Sequence, residues 1–89
     1  MTHANYLELF NYVLTHGDKK QHKSYFDEVY AWHEVDGYTC YLEFQGVKLT
    51  LLFHSRVSFE HDSAAELAKF QNKLASLYQT IQQQRRKKS

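Results

Sequence analysis

A chain of 89 residues leaves room for one compact unit and none for a catalytic domain joined to a regulatory one. Hydrophobic residues at 43% and charged residues at 24% exclude a chain disordered throughout, and aromatics at 16% let a small core bury more area than its length suggests. The net charge of +1 is uneven: Arg85, Arg86, Lys87 and Lys88 hold four of the eleven Lys and Arg, leaving seven against ten Asp and Glu in the body, which argues against a globally basic nucleic-acid surface.

The opening MTHANYLELF has neither the basic region nor the apolar run of a secretory signal, and the strongest apolar cluster, Leu49 to Phe53, is too short to cross a bilayer. A cytoplasmic protein with no membrane partner is therefore expected. The single cysteine, Cys40, cannot form an internal disulfide, in keeping with a reducing compartment. From Ala4 to His16, Leu7, Phe10, Val13 and Leu14 recur at helical spacing, with Thr2 or Asn5 as N-cap and Gly17 at the C-terminal cap. The DKKQHKS that follows is polar without a period and reads as a solvated loop.

Three short segments rich in aromatic and β-branched residues come next, divided by Asp36-Gly37 and Gln45-Gly46. Asp-Gly is a strong hairpin signal because a type I′ turn needs positive φ at both central residues; Gln-Gly is weaker. Two-residue turns at both sites would pair Val35 with Tyr38, His33 with Cys40 and Trp32 with Tyr41, then Phe44 with Val47, Glu43 with Lys48 and Leu42 with Leu49. Side chains alternate along a strand, and the two registers agree on the faces they define. One face collects Val29, Ala31, His33, Val35, Tyr38, Cys40, Leu42, Phe44, Val47, Leu49, Leu51 and Phe53, a nearly pure core. The other collects Glu28, Tyr30, Trp32, Glu34, Thr39, Tyr41, Glu43, Lys48, Thr50, Leu52 and His54, with Glu43 opposite Lys48 as a charge pair.

SRVSFEHD reads as a linker. Ser63 and Glu66 then have the spacing of a capping box, and Leu67, Phe70, Leu74, Leu77 and Ile81 recur at steps of three and four. A helix to about Gln84 would be roughly 30 Å long and project past strands of about eight residues. Residues 1–84 form one domain in this reading, and 85–89 are a frayed basic tail.

His33 opposite Cys40 is the one pair with the makings of a nucleophile and its base. Both fall on the apolar face, with no carboxylate to orient the imidazole and no oxyanion donors, so a buried thiol beside a core histidine is the better reading and no catalytic residue is assigned. The six histidines, His3, His16, His22, His33, His54 and His61, lack the close spacing of a metal site, so no metal or cofactor is expected. Asp27, Glu28, Glu34, Asp36 and Glu43 read as solvated strand and turn residues rather than an acid-base pair. The second sheet face stands out. Tyr30, Trp32, Tyr41 and Leu52 would sit there as neighbours, and aromatics with a polar rim are what protein interfaces favour at their centre. Either a helix covers this face or it is open. Stacked bases would meet Glu28, Glu34 and Glu43 there, so nucleic-acid binding falls to the basic tail, Arg85, Arg86, Lys87 and Lys88, as the alternative.

The segment AWHEVDGYTCYLEFQGVKLTLLFHS, with its Asp-Gly turn and an aromatic meander ending in Phe53-His54, resembles short bacterial proteins grouped in a family of unknown function. The resemblance covers the middle third to half of the chain. It implies a small stand-alone cytoplasmic bacterial protein and brings no activity, cofactor or site residue. The expectation is an α+β fold, a three-stranded antiparallel meander flanked by an N-terminal helix and a long C-terminal helix. Its expected role is a non-enzymatic interaction module, pairing with itself or another protein through the Tyr30, Trp32, Tyr41, Leu52 face or the last helix.

Overall fold

A computed structural model describes residues 1–52 and 56–86, of which 85 and 86 are described for backbone alone. The order is α1 (His3–His16), β1 (Asp18–Lys20), β2 (Lys23–Phe26), β3 (Val29–His33), β4 (Cys40–Phe44), β5 (Val47–Leu52), β6 (Arg56–Glu60) and α2 (Ala64–Arg86). The strands form one antiparallel sheet in sequence order. The α+β class and the two flanking helices are as the pattern predicts, but among the described residues the sheet has six strands, not three. The loop expected at DKKQHKS is the β1–β2 hairpin, and the linker expected at SRVSFEHD contains β6.

The central registers match the counts made from the turns. His33 pairs with Cys40, Trp32 with Tyr41, Leu42 with Leu49 and Phe44 with Val47. Gln45 and Gly46 both have positive φ, 49° and 84°, as a two-residue type I′ turn requires. The turn at Asp36-Gly37 differs. Gly37 N–H donates to the Glu34 carbonyl at 3.0 Å, Glu34 N–H to the Thr39 carbonyl at 2.9 Å, and Tyr38 N–H to Asp36 Oδ1 at 2.9 Å. Only Gly37 there lies at positive φ, so the connection is a loop of residues 35–38 rather than a two-residue turn. Val35 and Tyr38, expected on the core face, are exposed in that loop. His33, at the last position of β3, is exposed as well.

Both helices pack on the same side of the sheet. Their buried residues, Tyr6, Leu9, Phe10 and Val13 of α1 and Phe70, Leu74, Leu77 and Ile81 of α2, share one core with Val29, Ala31, Cys40, Leu42, Phe44, Val47, Leu49 and Leu51. The stripe on α1 is rotated from the expected one: Leu7 is exposed and Tyr6 and Leu9 are inside. Thr2 is its N-cap, its hydroxyl accepting from Asn5 N–H at 3.2 Å. Ser63 caps α2 in the same way, accepting from Glu66 N–H at 3.2 Å.

Polar contacts fix how the helices lie. Tyr78 Oη donates to Glu8 Oε1 at 3.0 Å, Gln82 Nε2 to Glu8 Oε2 at 2.7 Å, and Tyr12 Oη to Gln84 Oε1 at 3.2 Å. These contacts advance in the same direction along both helices, which therefore run parallel. The far end of the sheet is tied to α2 through Lys73, whose Nζ lies 3.0 Å from Asp27 Oδ2 and 3.9 Å from Glu28 Oε1. Asp27 and Glu28 are the positive-φ pair of the β2–β3 turn. Among the described residues no helix is long and apolar enough to cross a membrane.

Candidate interaction face

Because both helices take one side, the other side of the sheet has no covering element among the described residues. Two rows of side chains cross it. Asp18, Tyr25, Tyr30, Glu43, Lys48 and Glu60 are successive cross-strand partners. Trp32, Tyr41, Thr50 and Ser58 form the second row, which Lys20 and Lys23, paired with each other, extend toward β1. Leu52, opposite Arg56, lies at the end nearer the β3–β4 loop. The four residues expected to form a contact surface, Tyr30, Trp32, Tyr41 and Leu52, thus share this face, and all are half-buried. Phe53 and His54 lie outside the described residues.

At the centre the Trp32 and Tyr41 rings stack with centroids 5.1 Å apart, and the Tyr25 and Tyr30 rings approach to 4.8 Å. Lysine ammonium groups sit over these rings. Lys23 Nζ is 4.1 Å from the Trp32 centroid, Lys20 Nζ 4.8 Å from Tyr25 and Lys48 Nζ 5.1 Å from Tyr41. Such cation–π contacts hold the rings in place and keep long lysine stems flat on the sheet. Glu43 lies opposite Lys48, but the ion pairs run elsewhere: Lys23 Nζ is 3.8 Å from Glu43 Oε1 and Lys48 Nζ 2.9 Å from Glu60 Oε2. Tyr41 Oη donates to Glu34 Oε1 at 2.7 Å. That hydrogen bond, followed by burial and the neighbouring carboxylates, raises the Tyr41 phenol above its ordinary range.

The charges on this face balance. Asp18, Glu34, Glu43 and Glu60 stand against Lys20, Lys23, Lys48 and Arg56. Four acidic and four basic side chains thus surround the aromatic centre, with no net charge of either sign. Lys20 and Lys23 were not among the residues expected here, since they belong to the segment read as a loop, and Tyr25, just after that segment, was assigned to neither face. The signal was present: counting back through Asp27-Glu28 as a two-residue turn sets Tyr25 beside Tyr30.

Among the described residues, Cys40 and His33 face each other across β3 and β4. Cys40 is a free, buried thiol on the covered face. Burial first, and then the nearby Asp36 carboxylate, push its pKa up, which keeps it protonated and a poor nucleophile near neutral pH. His33 Nδ1 lies 2.8 Å from the Glu34 carbonyl, so that nitrogen carries the proton and donates to backbone. No group of three His, Cys, Asp or Glu able to hold a metal ion occurs among the described residues. Of the basic end, Arg85 and Arg86 continue α2 two residues past the expected boundary at Gln84, and Lys87 and Lys88 lie outside the described residues.

Fold and face together define a small α+β protein built around one two-sided sheet, packed on one side and aromatic on the other. The family model for a protein of unknown function (DUF3081) matches residues 1–84, and the chain belongs to that family. The resemblance read in the central segment thus extends over nearly the whole chain, and membership carries no activity. No curated protein and no solved structure matches the chain.

Proposed function

We propose that this chain is a non-enzymatic interaction module whose contact surface is the open aromatic face of the sheet. The observation that carries the reading is the placement of both helices on the opposite side, which leaves Tyr30, Trp32, Tyr41 and Leu52 together within a rim of balanced charge. Aromatic anchors held in fixed rotamers by neighbouring lysines lose little side-chain entropy on binding, which favours their use as contact points. The partner this chemistry fits is a protein surface with an apolar centre and charges of both signs.

The test compares wild type with a Trp32→Ser, Tyr41→Ser variant, both immobilised and exposed to nuclease-treated extract of the source cells. The variant should keep the circular dichroism spectrum of wild type, because both side chains lie outside the packed core, and lose a specific protein that wild type retains. Identical capture by the two proteins would contradict the reading. Retention from untreated extract that disappears with nuclease, weakens steeply with salt and is lost on truncation after Gln84 would instead favour the alternative, nucleic-acid association through the basic end.

A further inference from the structure

The two edges of the sheet are unequal. β1 is three residues long, wholly exposed, and carries Lys19 and Lys20, a charged edge of the kind that discourages strand pairing. β6 is five residues long, has no proline, and presents one side of its backbone to no other strand among the described residues. Beside it, on the covered side of the sheet, a shallow depression of mixed polarity is bounded by Met1, Tyr6, Val57 and Phe59 and by Gln71, Asn72 and Ala75 of α2. Val57 is 40% exposed and Met1 44%, apolar surface that the monomer leaves in water at this edge.

The sequence of β6, Arg56-Val57-Ser58-Phe59-Glu60, is complementary to itself when reversed. Antiparallel pairing of two copies about Ser58 sets Arg56 opposite Glu60 of the second copy twice, on the open face. It sets Val57 opposite Phe59 of the second copy twice, on the covered face, and Ser58 opposite itself. Every position finds a partner of the right kind, as a two-fold interface demands. The same operation at β1 would set Asp18 opposite Lys20 twice but put Lys19 against Lys19, with no apolar pair. We propose that a second copy of this chain docks on the β6 edge, joining two six-stranded sheets into one continuous sheet whose aromatic faces lie side by side. The proposal stands apart from the aromatic-face reading: it needs the edge and the groove, not Trp32 or Tyr41.

Solution mass over a concentration series, together with a directed cross-link, tests it. Wild type should reach the mass of a dimer. Val57→Lys, which would drive an ammonium into the apolar seam, should weaken association by about tenfold or more while keeping the wild-type circular dichroism spectrum. Opposed Cα atoms in an antiparallel pair lie about 4.5–5.5 Å apart, within disulfide reach, so Ser58→Cys should cross-link rapidly on mild oxidation. Lys19→Cys, on the other edge, should not. Buried Cys40 supplies the internal control. A wild-type chain that stays monomeric at its solubility limit, a dimer untouched by Val57→Lys, or equal cross-linking at both edges would overturn the proposal. Should Val57→Lys fail to fold, the Ser58→Cys and Lys19→Cys comparison decides alone. The Trp32→Ser, Tyr41→Ser variant should dimerise as wild type does, which separates failure here from failure of the aromatic-face reading.

Discussion

Phe70→Ala should remove a large part of the stability of this protein. Phe70 is fully buried at the centre of the covered side, where α2 meets the sheet, and its ring packs edge-on to Phe59 at 6.2 Å. Truncating a phenylalanine so placed costs about 3–5 kcal/mol, from lost transfer energy and the cavity left behind. A domain of 89 residues has roughly 4–13 kcal/mol in total. The urea midpoint should therefore fall by on the order of 2 M, and β6, which Phe59 tethers to the core, should lose amide protection first. Leu67→Ala, on the same stripe but only half-buried, should cost less than half as much. Equal midpoints for the two variants would mean that α2 does not seat Phe70 as described.

Gly17→Ala should be nearly as damaging, for a reason unrelated to conformational freedom. The backbone of Gly17, at φ −75° and ψ 162°, is extended and open to any residue. A methyl group there would lie 2.5 Å from the Val13 carbonyl oxygen and 2.8 Å from the Tyr25 carbonyl oxygen, both backbone atoms. Neither can step aside without moving the end of α1 or the strand β2. Overpacking of this kind costs about 1–3 kcal/mol, and more where the obstacle is main chain. Measured by urea unfolding, the loss should rise further in Gly17→Val. Unchanged stability in Gly17→Ala would show that α1 does not approach β2 so closely.

The middle of the fold was legible because its turns carry glycine and its strands alternate cleanly. Gln45-Gly46 placed Phe44 against Val47, and one correct turn then fixed the faces of two strands. The β1–β2 hairpin was hidden because its turn residues are not the usual ones. Gln21 in that turn, at φ 60°, and the Asp27-Glu28 pair of the β2–β3 turn, at 49° and 71°, adopt left-handed conformations without glycine. Lys73, across the molecule on α2, lies 3.0 Å from the Asp27 carboxylate and 3.9 Å from that of Glu28 at that turn. β6 did show its alternation, with Val57 and Phe59 separated by Ser58, but the polar residues around them read as a linker. Asp36-Gly37 misled in the other direction: a strong turn signal was resolved as a longer loop, which released Val35 and Tyr38 to the surface.

The contact face was legible in part for the same reason. Trp32 and Tyr41 followed from the register of one hairpin. That the face is open did not follow, since no sequence pattern tells on which side of a sheet a helix settles. That outcome depends on the line of α1 from Tyr6 beside Phe59 to Leu14 beside Ser24, and on the seam it shares with α2. Tyr25, Lys20 and Lys23 came only with the extra hairpin, and the seating of these two lysines and Lys48 over the rings only with the geometry of the side chains.

Trp32 is the only tryptophan in the chain, so its fluorescence reports on the open face directly. The measurement is acrylamide quenching of its emission from low to high protein concentration, alongside solution mass. An open aromatic face, with dimers forming at the β6 edge, should leave the indole partly shielded by Lys23 yet quenchable, to the same degree in monomer and dimer. A tryptophan inaccessible to acrylamide, or one that becomes inaccessible as the chain associates, would mean that a helix or a second copy covers the face, and would contradict its role as a free contact surface.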